Sequence, residues 1–592
     1  MKNYIISDNE KLEIKGLKKI TTDVHLYNYF KFKKNKKNIE FLKLKTRSNL
    51  KEYKAEYKII KSKSLNYSKA LRIFLNDYHK TSFSNFFWDK VLNEQLYRLT
   101  LIIFDFYSEF KYISKKNYLS NITSEKKFNP PELFSHIFKN LEFNNEYRDE
   151  ILRIFLLNFN NKKIYKTINL DDHYINRNNF KIKPLKNENF FLKIFNNFNL
   201  LPLYIENKIR KIFFNKKIHT AIIKSYFQTK FRLILENKSK LKISTINFPS
   251  ILKKKEINYE CRKNLSNSIL VKDDFDFFFK KIIISFFPKI LLEDFQINKL
   301  KICEFYNHNK ELKYVINESF LSDDWSNLNL ALGKELFNVK HIYNEHNYLT
   351  YILFGNRVKE FSENVDLYFS IGWENKNFSL VQKGANLSIK KSEKIKNKRF
   401  DLLFLPSFSF SRKPYFANYI SKETGFNYYK SSLKFLKGLN RKIKNNLYIK
   451  LHPNSFNYMG FDYYYHHIKQ YNLIDKKYSS QKVMRESKMI ILDHYSTTFL
   501  EVIKLNLPFI LIMDKKYTYQ SNLKYKDFEE LIKNNIVHLS EKKASRFLNK
   551  IYGKHLEWWK SKKVSTAIKN FTDKHIGNEE KFISKLIKLA NN

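Results

Sequence analysis

The feature that most limits how this chain can fold is a regular alternation between residues 400 and 513. FDLLFLPS (400–407) reads as a strand and FNYYKSSLKFLKGLNRKI (426–443) as a helix. NLYIKLHP (446–453) is again a strand, FDYYYHHIKQYN (461–472) and KVMRESK (482–488) are helices, and MIILDH (489–494) is a strand. TTFLEVIKLN (497–506) and PFILIM (508–513) close the series as helix and strand. The strands are near-continuously apolar, so both of their faces must be covered. Strands of that kind alternating with helices build a parallel sheet with helices on each side. Ligands of such sheets sit beyond the carboxyl ends of the strands, where the strand order reverses. The polar residues of this segment gather at those ends: Pro406-Ser407, His452-Pro453 and Asp493-His494-Tyr495-Ser496.

Upstream the period is different. SFSNFFWDKVLNEQLYRLTLIIFDFYSEFKYI (82–113) repeats apolar residues at three and four, as does LSDDWSNLNLALGKELFN (321–338), whose acidic start suits a helix N-terminus. Residues 1 to about 330 read mainly as helices with irregular connections. VKHIYNEH (339–346) and VDLYFSIGW (365–373) then read as short strands, and IKKSEKIKNKR (389–399) as a charged linker. The expected division is a helix-rich first part, residues 1–395, ending in a Rossmann-like portion, and a Rossmann-like second part, residues 396–592, with terminal helices such as KHLEWWKSKKVSTAIKNFTDKH (554–575).

The corner after MIILDH holds a Tyr-Ser-Thr-Thr run, Tyr495 to Thr498. Capping explains part of it: Thr498-Phe499-Leu500-Glu501 has the spacing of a capping box. Ser496 and Thr497 are then left over, and a helix N-terminus behind a buried strand suits a diphosphate, with Glu501 one turn further in for ribose hydroxyls. Both explanations stand at this point. His452, at a neighbouring strand end, is a weak signal alone and gains weight beside that corner. Histidine as a residue type ionises near neutrality, so His346, in IYNEHNYL, suits a base; a loop histidine bonded to Glu345 or Asn347 is the plainer alternative. His466-His467 lacks the carboxylate spacing of a metal site, and Trp558-Trp559 reads as helix packing. Asn76, His79 and Trp88, near the long helix, say little by themselves. No GxGxxG or GKS/T loop occurs, which removes classical dinucleotide and P-loop readings.

Composition excludes further classes. Two cysteines, Cys261 and Cys303, with no paired spacing argue against a disulfide framework or a cysteine-rich zinc site. The formal charge of +52 accompanies inflated Lys, Asn, Ile, Phe and Tyr and only ten Gly and ten Pro, a pattern of A/T-only codons. The charge is spread along the chain, so it is a background that attracts anions and not a nucleic-acid arm. The opening MKNYIISDNEKLEIKG is charged within ten residues, unlike a secretory leader. No stretch reaches the ~18 apolar residues of a membrane span. The expectation is a cytoplasmic protein, with peripheral contact at an anionic inner membrane surface as an option.

Three blocks together resemble a family of transferases encoded among bacterial surface-carbohydrate and lipopolysaccharide biosynthesis genes, itself similar to GT-B glycosyltransferases. LNDYHKTSFSNFFWDKVLNEQLYRL (75–99) is similar to the family's Asn/His/Trp helix block. YNEHNYLTYILFGNRVKEFSENVDLYFSIGW (343–373) is similar to its His-Gly loop and following strand. ILDHYSTTFLEVIKLNLPFIL (491–511) is similar to its Asp-His-x-Ser-Thr-Thr-x-x-Glu block, the most specific of the three. Where the family reads Gln-His-Gly-Gly, this chain has Glu345-His346-Asn347-Tyr348, keeping the histidine and losing both glycines.

The resemblance implies an α/β, GT-B-like fold, two Rossmann-like domains facing a cleft, with a helix-rich N-terminal half. It implies a nucleotide-activated sugar as donor and a glycan or lipid-linked acceptor, with no metal, other cofactor or nucleic acid. On it, Ser496, Thr497 and Thr498 bind donor phosphate and Glu501 holds ribose. Asp493 orients His494 or the loop, His452 stabilises the leaving phosphate, and His346 is the base for the acceptor. Asn76, His79 and Trp88 fall on the acceptor side. Two other functions remain: a polyol-phosphate transferase using a CDP-activated donor, and a non-catalytic basic protein binding nucleic acid or membrane.

Overall fold

Two six-stranded parallel sheets and a helical layer form most of the described structure, beside a small parallel sheet of Tyr4–Ile6, Lys18–Thr21 and Ile39–Phe41 and an antiparallel pair, Lys413–Tyr415 with Asn418–Ile420. The computed structural model describes residues 4–6, 18–21, 39–41, 50–114, 128–143, 145–159, 200–213, 217–253, 256–318, 323–345, 357–374, 377–388, 398–406, 413–415, 418–420, 422–452, 461–475, 477–513 and 526–591. His346, Ser407, Pro453 and most of the 389–399 linker lie outside the described residues.

The first sheet contains β1 (Thr220–Ile222), β2 (Ile243–Thr245), β3 (Tyr314–Asn317), β4 (Lys340–Asn344), β5 (Leu367–Ser370) and β6 (Val381–Lys383). All neighbours are parallel, in the order β2-β1-β3-β4-β5-β6. Three of these strands lie inside the stretch that periodicity reads as mainly helical. Each is three or four residues long, too short for a period of two or of continuous burial to stand out. The first sheet therefore begins near residue 220 and not at VKHIYNEH.

The second sheet contains β7 (Phe400–Leu405), β8 (Leu447–Ile449), β9 (Asn472–Leu473), β10 (Ser487–Leu492), β11 (Phe509–Ile512) and β12 (Val537–His538). It is parallel throughout, in the order β9-β8-β7-β10-β11-β12. Counted within the sheet, this is 3-2-1-4-5-6, the Rossmann order, and the expected strands all fall where their apolar runs lie. Met489, Ile490, Ile491 and Leu492 are each fully buried, as a strand covered on both faces requires. Two Rossmann-like sheets in one chain give the GT-B-like architecture.

The helical layer is built on α1 (Leu50–His79) packed against α2 (Glu94–Ser114). Between them, a short helix (Asn85–Trp88) runs into α2 through a π-helical turn, Asp89–Asn93. Further along, the buried Arg262 guanidinium grips both oxygens of Glu293 at 2.7 and 2.8 Å, with both side chains at most 2% exposed. Among the described residues, no helix is long and apolar enough to cross a membrane.

The helices that matter for the site are α3 (Thr497–Lys504), directly after β10, and α4 (Glu579–Asn591), the last. Although α4 follows the second sheet in sequence, its Phe582, Ile583 and Leu586 pack on Ile222, Ile316, Ile342 and Phe369 of the first. The chain thus crosses back. At the crossing the Gly577 N–H donates to the Ile371 carbonyl at 2.9 Å. A Cβ on Gly577 would lie 1.8 Å from the Gly384 carbonyl oxygen, and one on Gly372, at φ 137°, would lie 1.9 Å from the Gly577 nitrogen. Three of only ten glycines meet here because the two backbones touch.

Candidate functional site

In the second sheet the chain builds outward from β7 to β9, then returns to build β10 to β12 on the other side. The order reverses between β7 and β10, and the crevice beyond their carboxyl ends is the position where open α/β sheets take ligands. Leu492 ends β10, so Asp493, His494, Tyr495 and Ser496 follow directly at that carboxyl end. His452, exposed, follows β8 on the far side of β7. At one inter-strand spacing per step, its backbone lies roughly 10 Å from Asp493.

Ser496 opens α3. It has extended backbone dihedrals, and its hydroxyl accepts from the Thr498 N–H at 3.2 Å. The expected capping box is thereby displaced: the cap is Ser496, not Thr498, and Glu501 does not reach back to the helix start. Instead Glu501 Oε1 accepts from Gln481 Nε2 at 3.0 Å, across from the helix Ser480–Arg485. Burial raises the Glu501 pKa, opposed by the Gln481 hydrogen bond and the Arg485 charge. Among the described residues, Glu501 Oε2 and the hydroxyls of Thr497 and Thr498 find no hydrogen-bonding partner, and all three side chains are half-buried.

Asp493 is held from two sides. Its Oδ2 accepts from the Tyr428 hydroxyl at 2.7 Å and its Oδ1 lies 3.2 Å from His494 Nδ1. Burial, with the Asp493 charge beside it, pushes the Tyr428 phenol well above its ordinary value, so it stays a donor. Near the end of β8, burial lowers the pKa of Lys450, partly offset by Asp475. Among the described residues no group of His, Cys, Asp and Glu is arranged to hold a metal ion.

The first sheet has a switch of its own, between β1 and β3, and there the crevice is stitched shut. Glu318, just past β3 and 1% exposed, accepts from Ser225 Oγ at 2.9 Å and from the Tyr226 N–H, both just past β1. Asn344 Nδ2, at the end of β4, donates to its other oxygen at 2.8 Å. Burial raises Glu318 to about 7, against those hydrogen bonds. When ionised, Glu318 repels a diphosphate at that position.

Asn76, His79 and Trp88 come together, but not at this corner. Trp88 Nε1 donates to Asn76 Oδ1 at 2.8 Å, and Asn76 also bonds the backbone of Phe83 and the Thr81 hydroxyl. His79 contacts the Leu291 carbonyl at 3.0 Å and stacks on Phe295 at 4.2 Å. Trp88 is fully buried and His79 6% exposed, so these polar atoms join α1 to the segments that follow it. Trp559 packs on Phe509 and Trp558 on Phe547 as helix-packing residues. Gln481, Arg485 and Tyr428 were not visible as site residues, since nothing in their local sequence marks them as neighbours of the corner.

A search among curated proteins finds no sequence similar to this one. Among solved structures, a UDP-glucosyltransferase from Polygonum tinctorium aligns with 64% of this chain and 99% of its own, at 8% identity and a TM-score of 0.35. The spinosyn rhamnosyltransferase SpnG, in complex with thymidine diphosphate, aligns with 63% of this chain and 100% of its own, at 8% identity and a TM-score of 0.32. MurG of Acinetobacter baumannii aligns with 63% and 99%, at 11% identity and 0.31. These likenesses are low, and the fold assignment rests on strand order and register. The sequence is more specific: the model of the LIC12162 family transferases matches residues 21–589, nearly the whole chain, and the protein belongs to that family of transferases.

Proposed function

We propose that the protein is a glycosyltransferase that moves a sugar from a nucleotide-activated donor to a glycan or lipid-linked acceptor in bacterial surface polysaccharide or lipopolysaccharide biosynthesis. The observation that carries this reading is the position of the Asp493–Glu501 corner at the switch point of the second sheet, where the Thr497 and Thr498 hydroxyls find no hydrogen-bonding partner among the described residues. The donor diphosphate lies at the start of α3, against the positive end of its dipole and the Thr497 and Thr498 hydroxyls. Glu501, oriented by Gln481, takes the ribose hydroxyls with its second oxygen. Asp493 keeps His494 in place, and His452 stabilises the departing phosphate. Such groups stabilise the departing nucleotide without needing a metal ion. His346 remains the proposed base for the acceptor hydroxyl. The reaction runs in the cytoplasm, where nucleotide sugars are made, and the excess of lysine favours contact with an anionic membrane face.

A CDP-activated polyol-phosphate transferase uses the same corner, and the donor distinguishes the two. Calorimetric titration with CMP, UDP, GDP, CDP and dTDP, on wild type and Glu501→Ala, tests the site. Selective micromolar binding of one nucleotide, weakened at least about tenfold by the substitution, is expected. Equal weak binding of all five, indifferent to the substitution and erased by salt, refutes the donor site.

A further inference from the structure

The end of α3 opposite the proposed donor site has a task of its own. Lys504, its last residue, is 7% exposed at the side chain, and its Nζ donates to the Asn386 carbonyl at 2.7 Å. The same ammonium pairs with Glu579, also 7% exposed, in the first turn of α4. Asn386 lies just past β6, where the chain leaves the first sheet, and Glu579 lies where it returns to that sheet. Both flank the crossing at which Gly372, Gly384 and Gly577 touch. One buried cation from the second sheet's switch-point helix thus holds both strands of the interdomain crossing.

We propose that Lys504 is a positioning residue that ties α3 to the crossing, so that a nucleotide at one end of α3 is coupled to the setting of the first sheet at the other. The tie rests on the donor-site reading for its ligand but not for its geometry. With only eight residues, α3 is about 12 Å long and moves as a rod. The crossing cannot flex around the tie, because backbone meets backbone at the three glycines. A shift of α3 is therefore passed to Asn386 and Glu579 through a charged contact shielded from water, in which the pairing is strong.

Hydrogen exchange followed by mass spectrometry tests this on wild type, Lys504→Met and Lys504→Arg. Without nucleotide, Lys504→Met is expected to raise exchange in 384–388 and 576–582 at least about tenfold, leaving 487–492 unchanged, with Arg restoring protection. With whichever of the five nucleotides binds, wild type is expected to gain protection at 494–503 and also at the crossing. Lys504→Met, binding it within about threefold, should gain protection at 494–503 alone. Unaltered exchange at the crossing in Lys504→Met overturns the tie. So does an equal loss of protection in 487–492, which general destabilisation produces, or wild-type protection confined to 494–503. If no nucleotide binds wild type, it is the donor-site reading that falls, and the ligand-free comparison by itself decides the tie.

Discussion

At Ser496 the two explanations of the hydroxyl corner separate. Its hydroxyl is spent on capping α3, so Ser496→Ala should lower stability by about 1 kcal/mol in chemical denaturation. The hydroxyls of Thr497 and Thr498 hold nothing up among the described residues. Thr497→Val with Thr498→Val should leave stability within about 0.5 kcal/mol and weaken nucleotide binding roughly tenfold by calorimetry. A second residue-scale test concerns Lys90, fully enclosed in the π-helical turn and 2.7 Å from His341 Nδ1. Burial lowers it to about 7, with Asp366 opposing and Lys334 assisting. Its folded pKa lies below the unfolded one, so between pH 7 and about 10.4 the unfolded chain binds more protons and stability rises with pH. Lys90→Met should lack that rise, a difference of up to ~5 kcal/mol across the window by denaturation at each pH. The type of residue at the corner was legible in the sequence, but the division of labour was not. The spacing from Thr498 to Glu501 fits a capping box, yet an earlier hydroxyl takes the cap and Gln481, twenty residues upstream, takes Glu501.

Elements were legible in proportion to their length and burial. The second sheet's strands showed because a run such as MIIL is apolar on both faces. β1, β2 and β3 did not, at three or four residues each. The Asn76-His79-Trp88 block was recognisable as a unit, and the structure gives a reason for part of its pattern: the Asn76 amide donates to the Phe83 carbonyl and accepts from Thr81, the Phe83 N–H and Trp88. At the crossing, Gly577→Ala should cost more than about 3 kcal/mol by thermal or chemical denaturation, since its Cβ meets a carbonyl oxygen on another strand. Gly553→Ala is the control. Gly553 has φ +90° with nothing within 4 Å, so only the backbone conformation is penalised, by about 1 kcal/mol.

For the molecule as a whole, the charge of +52 predicts a behaviour distinct from that of the site. A DNA oligonucleotide should bind weakly at 50 mM salt and lose at least about tenfold in affinity by 200 mM, whatever its sequence, in fluorescence anisotropy. Nucleotide binding at the proposed donor site should change far less over the same range, since on that reading it rests on hydrogen bonds from half-buried groups. Sequence by itself determined the parallel second sheet, the family and the position of the polar corner. Each of these is written in consecutive residues: continuous burial marks the strands, and the polar residues just past a strand mark the corner. Only the tertiary structure decided that the first sheet starts near residue 220, that its own switch crevice is closed by Glu318, and that the last helix returns to it. The same holds for the contact of Lys504 with Asn386, 118 residues apart. Such contacts depend on which surfaces the chain brings together after the strands are laid down, and no local period records them.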